Sequence, residues 1–189
     1  MLDYDVVPRD VPRINYFMTN EDYRVIAGVL RGQRASRRFV EFFQRDLTAL
    51  RLDAANKEEL LRILVGKAVE FEPDLNADGL LSSIWAREEM GFTYFGREVA
   101  IPHPNKLLDV PQSFVVAATL RHGLEWRNGD EATLVFLVCA ARDGESSLQR
   151  FYQGLAEVVS DDALQRRLVA CEDFDSFASV MESAGGRLE

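Results

Sequence analysis

The ten residues Ala132-Thr133-Leu134-Val135-Phe136-Leu137-Val138-Cys139-Ala140-Ala141 contain no charged side chain and are rich in β-branched and aromatic types. A strand made from such a run has no face to offer to water, so packed layers must cover it on both sides. The run is too short to cross a bilayer as a helix. It reads as the central strand, Ala132 to Ala140, of a sheet enclosed by other elements.

The neighbouring patterns supply those elements. Asn56 followed by Glu59 is a helix-start signature, and Leu60, Leu61, Leu64 and Ala68 form the apolar stripe behind it. A turn at Glu72-Pro73-Asp74 leads to a second helix, Asp78 to Met90, closed by Gly91. Val99 to Ile101 and Ser113 to Leu120 read as strands, and Thr48 to Leu52 alternates weakly enough for one more. After the central strand, Leu148, Phe151, Tyr152, Leu155, Val158 and Val159 recur at helical spacing, and Phe174, Phe177, Val180 and Met181 do so again. Strands alternating with helices predict an α/β fold, a mixed β-sheet flanked by helices on both faces. A short helical N-terminal extension precedes it, with Tyr23, Ile26, Ala27 and Leu30 on one helix behind a cap at Asn20-Glu21-Asp22, and Phe39, Val40, Phe42 and Phe43 on another. The expected division is a linker and extension over 1–55 and a domain over 56–189, with the tail from Gly185 frayed.

Charge and composition narrow the function. With 47% apolar residues, 28% charged residues and a net charge of −9, the chain can build a core but lacks the basic face that nucleic-acid binding relies on. Arg31, Arg34, Arg37, Arg38 and Arg45 form a local basic cluster, which reads as a solvated face or a contact to a neighbouring domain. Met1-Leu2-Asp3-Tyr4-Asp5 shows no basic segment followed by an apolar one, so a secretory leader is not expected and the cytosol is. Cys139 and Cys171, like His103 and His122, stand too far apart for a ligand motif, so no metal, cofactor or disulfide framework is expected. Phosphate-binding loops, dinucleotide fingerprints, His-Glu-x-x-His and Gly-x-Ser-x-Gly are all missing.

One candidate for chemistry remains. In Ile101-Pro102-His103-Pro104 each proline fixes its own φ and pushes the residue before it toward an extended form. His103 therefore sits on stiff, extended backbone just past a strand, which suits a nucleophile that must align with a donor. A neutral imidazole is nucleophilic near pH 7, and a hydrogen bond at one nitrogen selects the tautomer that frees the other. Arg87 follows Leu80 and Ile84 on a helical stripe and is the best-placed cation to compensate phosphoryl charge. Taken alone, a histidine between prolines fits a turn element as well as a nucleophile. His122, in Arg121-His122-Gly123, reads as an exposed turn residue.

The segment from Arg87-Glu88 through Gly91-Phe92-Thr93 and Gly96 to Ala100-Ile101-Pro102-His103 resembles, without gaps, the active-site signature of the fructose/mannitol-type EIIA domains of the bacterial sugar phosphotransferase system. The likeness runs from about residue 56 to 183. It implies His103 as phosphoacceptor, Arg87 as support of the phosphorylated site, and Thr93, Gly96, Pro102 and Pro104 as residues that shape the backbone around it. It also implies the phosphocarrier protein HPr as donor and an EIIB protein or neighbouring regulatory domains as further partners. Transport-type members carry a second histidine at the start of the helix after the buried strand, where this chain has Leu148 within Glu145-Ser146-Ser147-Leu148. Val11 to Asp22, Glu125-Trp126 and Phe151-Tyr152 are similar to segments of BglG-type transcriptional regulators. The two resemblances together imply a phosphoryl-accepting regulatory domain with no membrane insertion and no direct nucleic-acid contact. The alternative is a transport component that relays phosphate to EIIB.

Overall fold

The computed structural model describes residues 39–91, 93–142 and 145–185. The helix expected from Asn20 and the arginines at 31, 34, 37 and 38 lie outside these residues, as does the tail beyond Gly185.

A 3-10 turn over Phe39–Phe42 opens the fold, followed by β1 (Thr48–Leu52), α1 (Lys57–Phe71), α2 (Ala77–Met90), β2 (Tyr94–Gly96) and β3 (Val99–Ala100). Then come β4 (Phe114–Arg127), β5 (Asp130–Cys139), α3 (Glu145–Ser160), α4 (Asp162–Ala170) and α5 (Phe174–Gly185). The five strands make one sheet in the order β1-β4-β5-β3-β2. β1 runs parallel to β4 and β3 parallel to β5, while β4–β5 and β2–β3 are antiparallel. The mixed sheet expected from the sequence is therefore present.

Its two faces separate cleanly along β5. Leu134, Phe136 and Val138 face a core shared with α3, α4 and α5, through Phe151, Leu155, Leu168 and Phe177. Val135, Leu137 and Cys139 face the other core, against Leu60, Leu61 and Leu64 of α1 and Leu80 and Ile84 of α2. Successive residues of a strand point to opposite faces, so a run that is apolar throughout feeds both cores at once. Burial also pushes the Cys139 thiol up to about 12, leaving it an inert packing group.

The helix starts follow from local chemistry. Asn56 Oδ1 accepts from Glu59 N at 2.9 Å, and Glu59 Oε2 reaches back to Ala55 N at 2.8 Å. Asn76 caps α2 by accepting from Gly79 N at 2.7 Å.

Two expectations change, and one helix is added that the sequence patterns above did not name. Arg121-His122-Gly123 is not a turn; it lies inside β4, where the pairing with β5 slips between Thr119 and Leu124, and His122 is exposed there. The chain reverses further on, at Asn128-Gly129, both with positive φ as a tight hairpin requires. The stretch after Ser160 forms a separate helix, α4, because Asp161 accepts from Ala163 N and Leu164 N and so restarts the helix. Residues 39–55, placed in the extension, join the folded unit: β1 is a strand of the sheet, and Phe39, Phe42 and Phe43 are buried against Phe151.

That aromatic contact generates a testable reversal of sign. Gly154 of α3 lies so close to the Phe39 ring that a methyl group at 154 would collide with it. Glycine in a helix interior ordinarily costs roughly 0.5–1 kcal/mol relative to alanine. Gly154→Ala is expected to destabilise the chain in which Phe39 is present and, because the Phe39 Cβ would also crowd the new methyl, to stabilise only a Phe39→Gly chain, by about that amount. Urea midpoints of the four proteins check it.

Candidate functional site

After β3 the chain leaves regular structure but stays pinned. Ile101 N donates to Thr93 O at 2.9 Å, and Val138 N donates to Pro102 O at 3.0 Å. Asn105 N reaches Ser83 O at 3.2 Å, and the Ser83 hydroxyl donates to Asn105 Oδ1 at 2.7 Å. Residues 101–105 are thus held by β5 on one side and by α2 on the other, with Pro102 and Pro104 buried and His103 partly exposed.

The ring of His103 is fixed at both nitrogens. Nδ1 lies 2.9 Å from the carbonyl oxygen of Ile101. A carbonyl can only accept, so Nδ1 carries the proton. In the neutral ring Nε2 then holds a lone pair, and Arg87 Nε donates to it at 2.9 Å. Both contacts require the same tautomer.

Arg87 comes from the last turn of α2 and is 5% exposed, so it points inward as its stripe with Leu80 and Ile84 predicts. Its Nη1 donates to Gly91 O at 2.6 Å, which ties the guanidinium to the end of its own helix. The structure therefore brings Arg87 and His103 together, although they lie on different elements.

Thr93 is buried just before β2, and its hydroxyl donates to Glu88 Oε1. Gly96 has φ +102 where β2 enters the turn to β3, and Arg97 and Glu98 complete that turn with φ of 49° and 61°. Non-glycine residues seldom adopt this left-handed region. Here Tyr94 Oη accepts from Glu98 N at 3.0 Å, and Arg97 pairs with Asp162 at 2.7 Å. Leu148, which stands where transport-type members of the resembled family carry a second histidine, is packed in the same core as Ile101 and Phe151.

Beside Arg87 lies a polar group that sequence reasoning missed. Glu88, 4% exposed, accepts from Thr93 with one oxygen and meets Lys57 Nζ at 2.6 Å with the other. Lys57 also stands over the Trp126 ring, 4.3 Å from its centroid. Burial lowers the Lys57 pKa, with the Glu88 carboxylate and its hydrogen bond opposing that shift. Glu88 stood in the recognised segment next to Arg87, but nothing in the order of residues linked it to Lys57.

Among the described residues no group of three or more His, Cys, Asp or Glu is placed to hold a metal ion, and no helix is long and apolar enough to cross a membrane.

The family model described as "Phosphoenolpyruvate-dependent sugar phosphotransferase system, EIIA 2" matches residues 41–184. The chain belongs to this EIIA family. The resemblance read at residues 87–103 is thereby borne out. The "Probable licABCH operon regulator" of Bacillus subtilis (strain 168) is 27% identical over 179 residues, 93% of this chain and 26% of the regulator. The "PTS system 2-O-alpha-mannosyl-D-glycerate-specific EIIABC component" of Escherichia coli (strain K12) is 24% identical over 146 residues, 75% of this chain and 22% of that protein. The EIIA chain thus spans about a quarter of the length of these curated relatives. The crystal structure of IIA mannitol from Escherichia coli superposes with a TM-score of 0.60 at 20% identity, covering 74% of this chain and 98% of that one, which bears out the fold.

The buried ion pair predicts a stability effect separate from any chemistry. Lys57→Met leaves the Glu88 carboxylate buried without its counter-charge and is expected to cost about 3–5 kcal/mol. Replacing both partners, as Lys57→Met with Glu88→Leu, is expected to recover most of the loss. Chemical denaturation of the single and double variants measures both.

Proposed function

We propose that this EIIA domain accepts a phosphoryl group on Nε2 of His103 from the phosphocarrier protein HPr and acts as the sensor of a transcriptional regulator. The observation that carries the reading is the ring held by Ile101 and Arg87, with Nδ1 occupied by a carbonyl and Nε2 left as the nucleophilic nitrogen.

The transfer needs no added reagent. Nε2 attacks phosphorus as the bond from phosphorus to the donor histidine's nitrogen breaks, and the donor ring recovers its lone pair. The Nδ1 proton stays on His103, shared with the Ile101 carbonyl. Arg87 exchanges its contact with the ring for one with the phosphoryl oxygens, where a guanidinium fork fits. The group adds roughly −1.5 to −2 charges beside a buried cation, which is where such charge is least costly. Pro102 and Pro104 keep the backbone stiff, while Thr93 and Gly96 shape the approach of the strand.

Two further observations favour a sensor. Leu148 cannot orient an imidazole or hydrogen-bond a phosphate, so onward delivery is unassisted at that position. Much of the chain also aligns with an operon regulator. Met90 and Leu107 are large hydrophobics left exposed close in sequence to Arg87 and His103, as a protein donor's docking surface requires. On this reading the domain works in the cytoplasm, inserts in no membrane and touches no nucleic acid itself. The likeness to an EIIABC component keeps relay to an EIIB protein as the second reading.

Incubation with labelled phosphoenolpyruvate, enzyme I and HPr is expected to give an acid-labile, base-stable label that His103→Ala abolishes. Arg87→Ala is expected to slow labelling by roughly 10²–10³-fold, the usual effect of losing one charge-stabilising donor. Absence of label on the unaltered chain overturns the reading. Rapid transfer of the label to a cognate EIIB favours the relay instead.

A further inference from the structure

The contact between Arg87 and His103 depends on how two separate pieces of chain are registered, because Arg87 belongs to α2 and His103 to the segment after β3. A continuous set of contacts supplies that registration. Lys57 Nζ of α1 holds one oxygen of Glu88 at 2.6 Å, and the other oxygen accepts from the Thr93 hydroxyl. The Thr93 carbonyl accepts from Ile101 N at 2.9 Å, and the Ile101 carbonyl meets His103 Nδ1 at 2.9 Å. Thr93 therefore joins the two pieces, its side chain tied to the helix and its backbone tied to the peptide that fixes the ring.

Glu88 follows Arg87 directly in α2. One turn of helix thus presents a cation to the ring and an acceptor to the strand that carries the ring. A shift of Thr93 would move Ile101, and with it the carbonyl that selects the tautomer. All three side chains are withdrawn from solvent, Glu88 at 4%, Thr93 at 7% and the Lys57 side chain at 13% exposure, so water competes poorly for these bonds.

We infer that Glu88 and Thr93, with Lys57 as the counter-ion of Glu88, are positioning residues that hold His103 in its Nδ1–H tautomer and set its distance from Arg87. The inference rests on His103 being the phosphoacceptor only for its effect on rate; the tautomer is a property of the unphosphorylated chain.

The test uses the whole chain, with the imidazole nitrogens of His103 followed by long-range proton–nitrogen NMR and the initial labelling rate measured with HPr. Thr93→Val removes the hydroxyl at nearly constant shape, and Thr93→Ser restores it. Thr93→Val is expected to give a mixed tautomer population and a labelling rate lower by roughly ten- to a hundredfold, the scale of loss when a reacting group is misplaced. Thr93→Ser is expected to match the unaltered chain in both. If the stranded carboxylate unfolds Thr93→Val, the variant K57M/E88L/T93V removes all three polar groups together and tests the same point without a buried unpaired charge. It is expected to fold and to show the same mixed tautomer and slow labelling. A folded Thr93→Val or K57M/E88L/T93V chain with the unaltered tautomer signals overturns the inference, as does Thr93→Ser behaving like Thr93→Val. An unaltered chain that takes no label overturns the phosphoacceptor reading instead, and the tautomer signals then decide the positioning role by themselves.

Discussion

From Leu134 to Cys139 strand β5 has no side facing water, and the rest of the molecule is arranged around that fact. Leu134, Phe136 and Val138 need one apolar layer and Val135, Leu137 and Cys139 another, so helices must close over both faces. The strand also gives the site its rail. Beyond β3 the chain keeps following β5, through Val138 N to Pro102 O and Leu108 N to Ala140 O, although it has lost regular strand geometry. His103 owes its fixed place to that continued alignment, and its partial exposure to the two buried prolines that bracket it.

The polar groups near His103 divide by depth. Arg87 and the Ile101 carbonyl touch the ring, whereas Lys57, Glu88 and Thr93 touch only what touches it. A buried carboxylate beside a buried guanidinium on one helix turn could have been a liability, since each could neutralise the other. Their different directions prevent this: adjacent residues on a helix point about 100° apart, so Arg87 reaches the ring and Glu88 the strand. Lys57 then satisfies the carboxylate from a second helix.

Much of the fold was legible because its signals are local. The Asn56–Glu59 start, the Asn76 cap and the all-apolar run at 132–141 each express their chemistry within a few residues. The segment from Arg87 to His103 was legible as a family signature, and its two ends do meet. Other features were present but passed over. Asn128-Gly129 is the strongest short hairpin signal there is, and heeding it would have carried β4 past His122 to Arg127. Asp161 followed by Leu164 and Leu168 marked α4 in the same way. The Lys57–Glu88 pair could not be read at all, because it exists only once α1 and α2 have packed against the sheet. Strand β2, three half-buried residues long, has too little periodicity to declare itself.

Phe39, Phe42 and Phe43 are embedded around Phe151 of α3, in the same core as Leu148 and Ile101. Phe39, the first of the described residues, is consequently rooted in the body of the protein. Interlocking rings fix its place, so a force applied at Phe39 is borne by the core and not by a loose end.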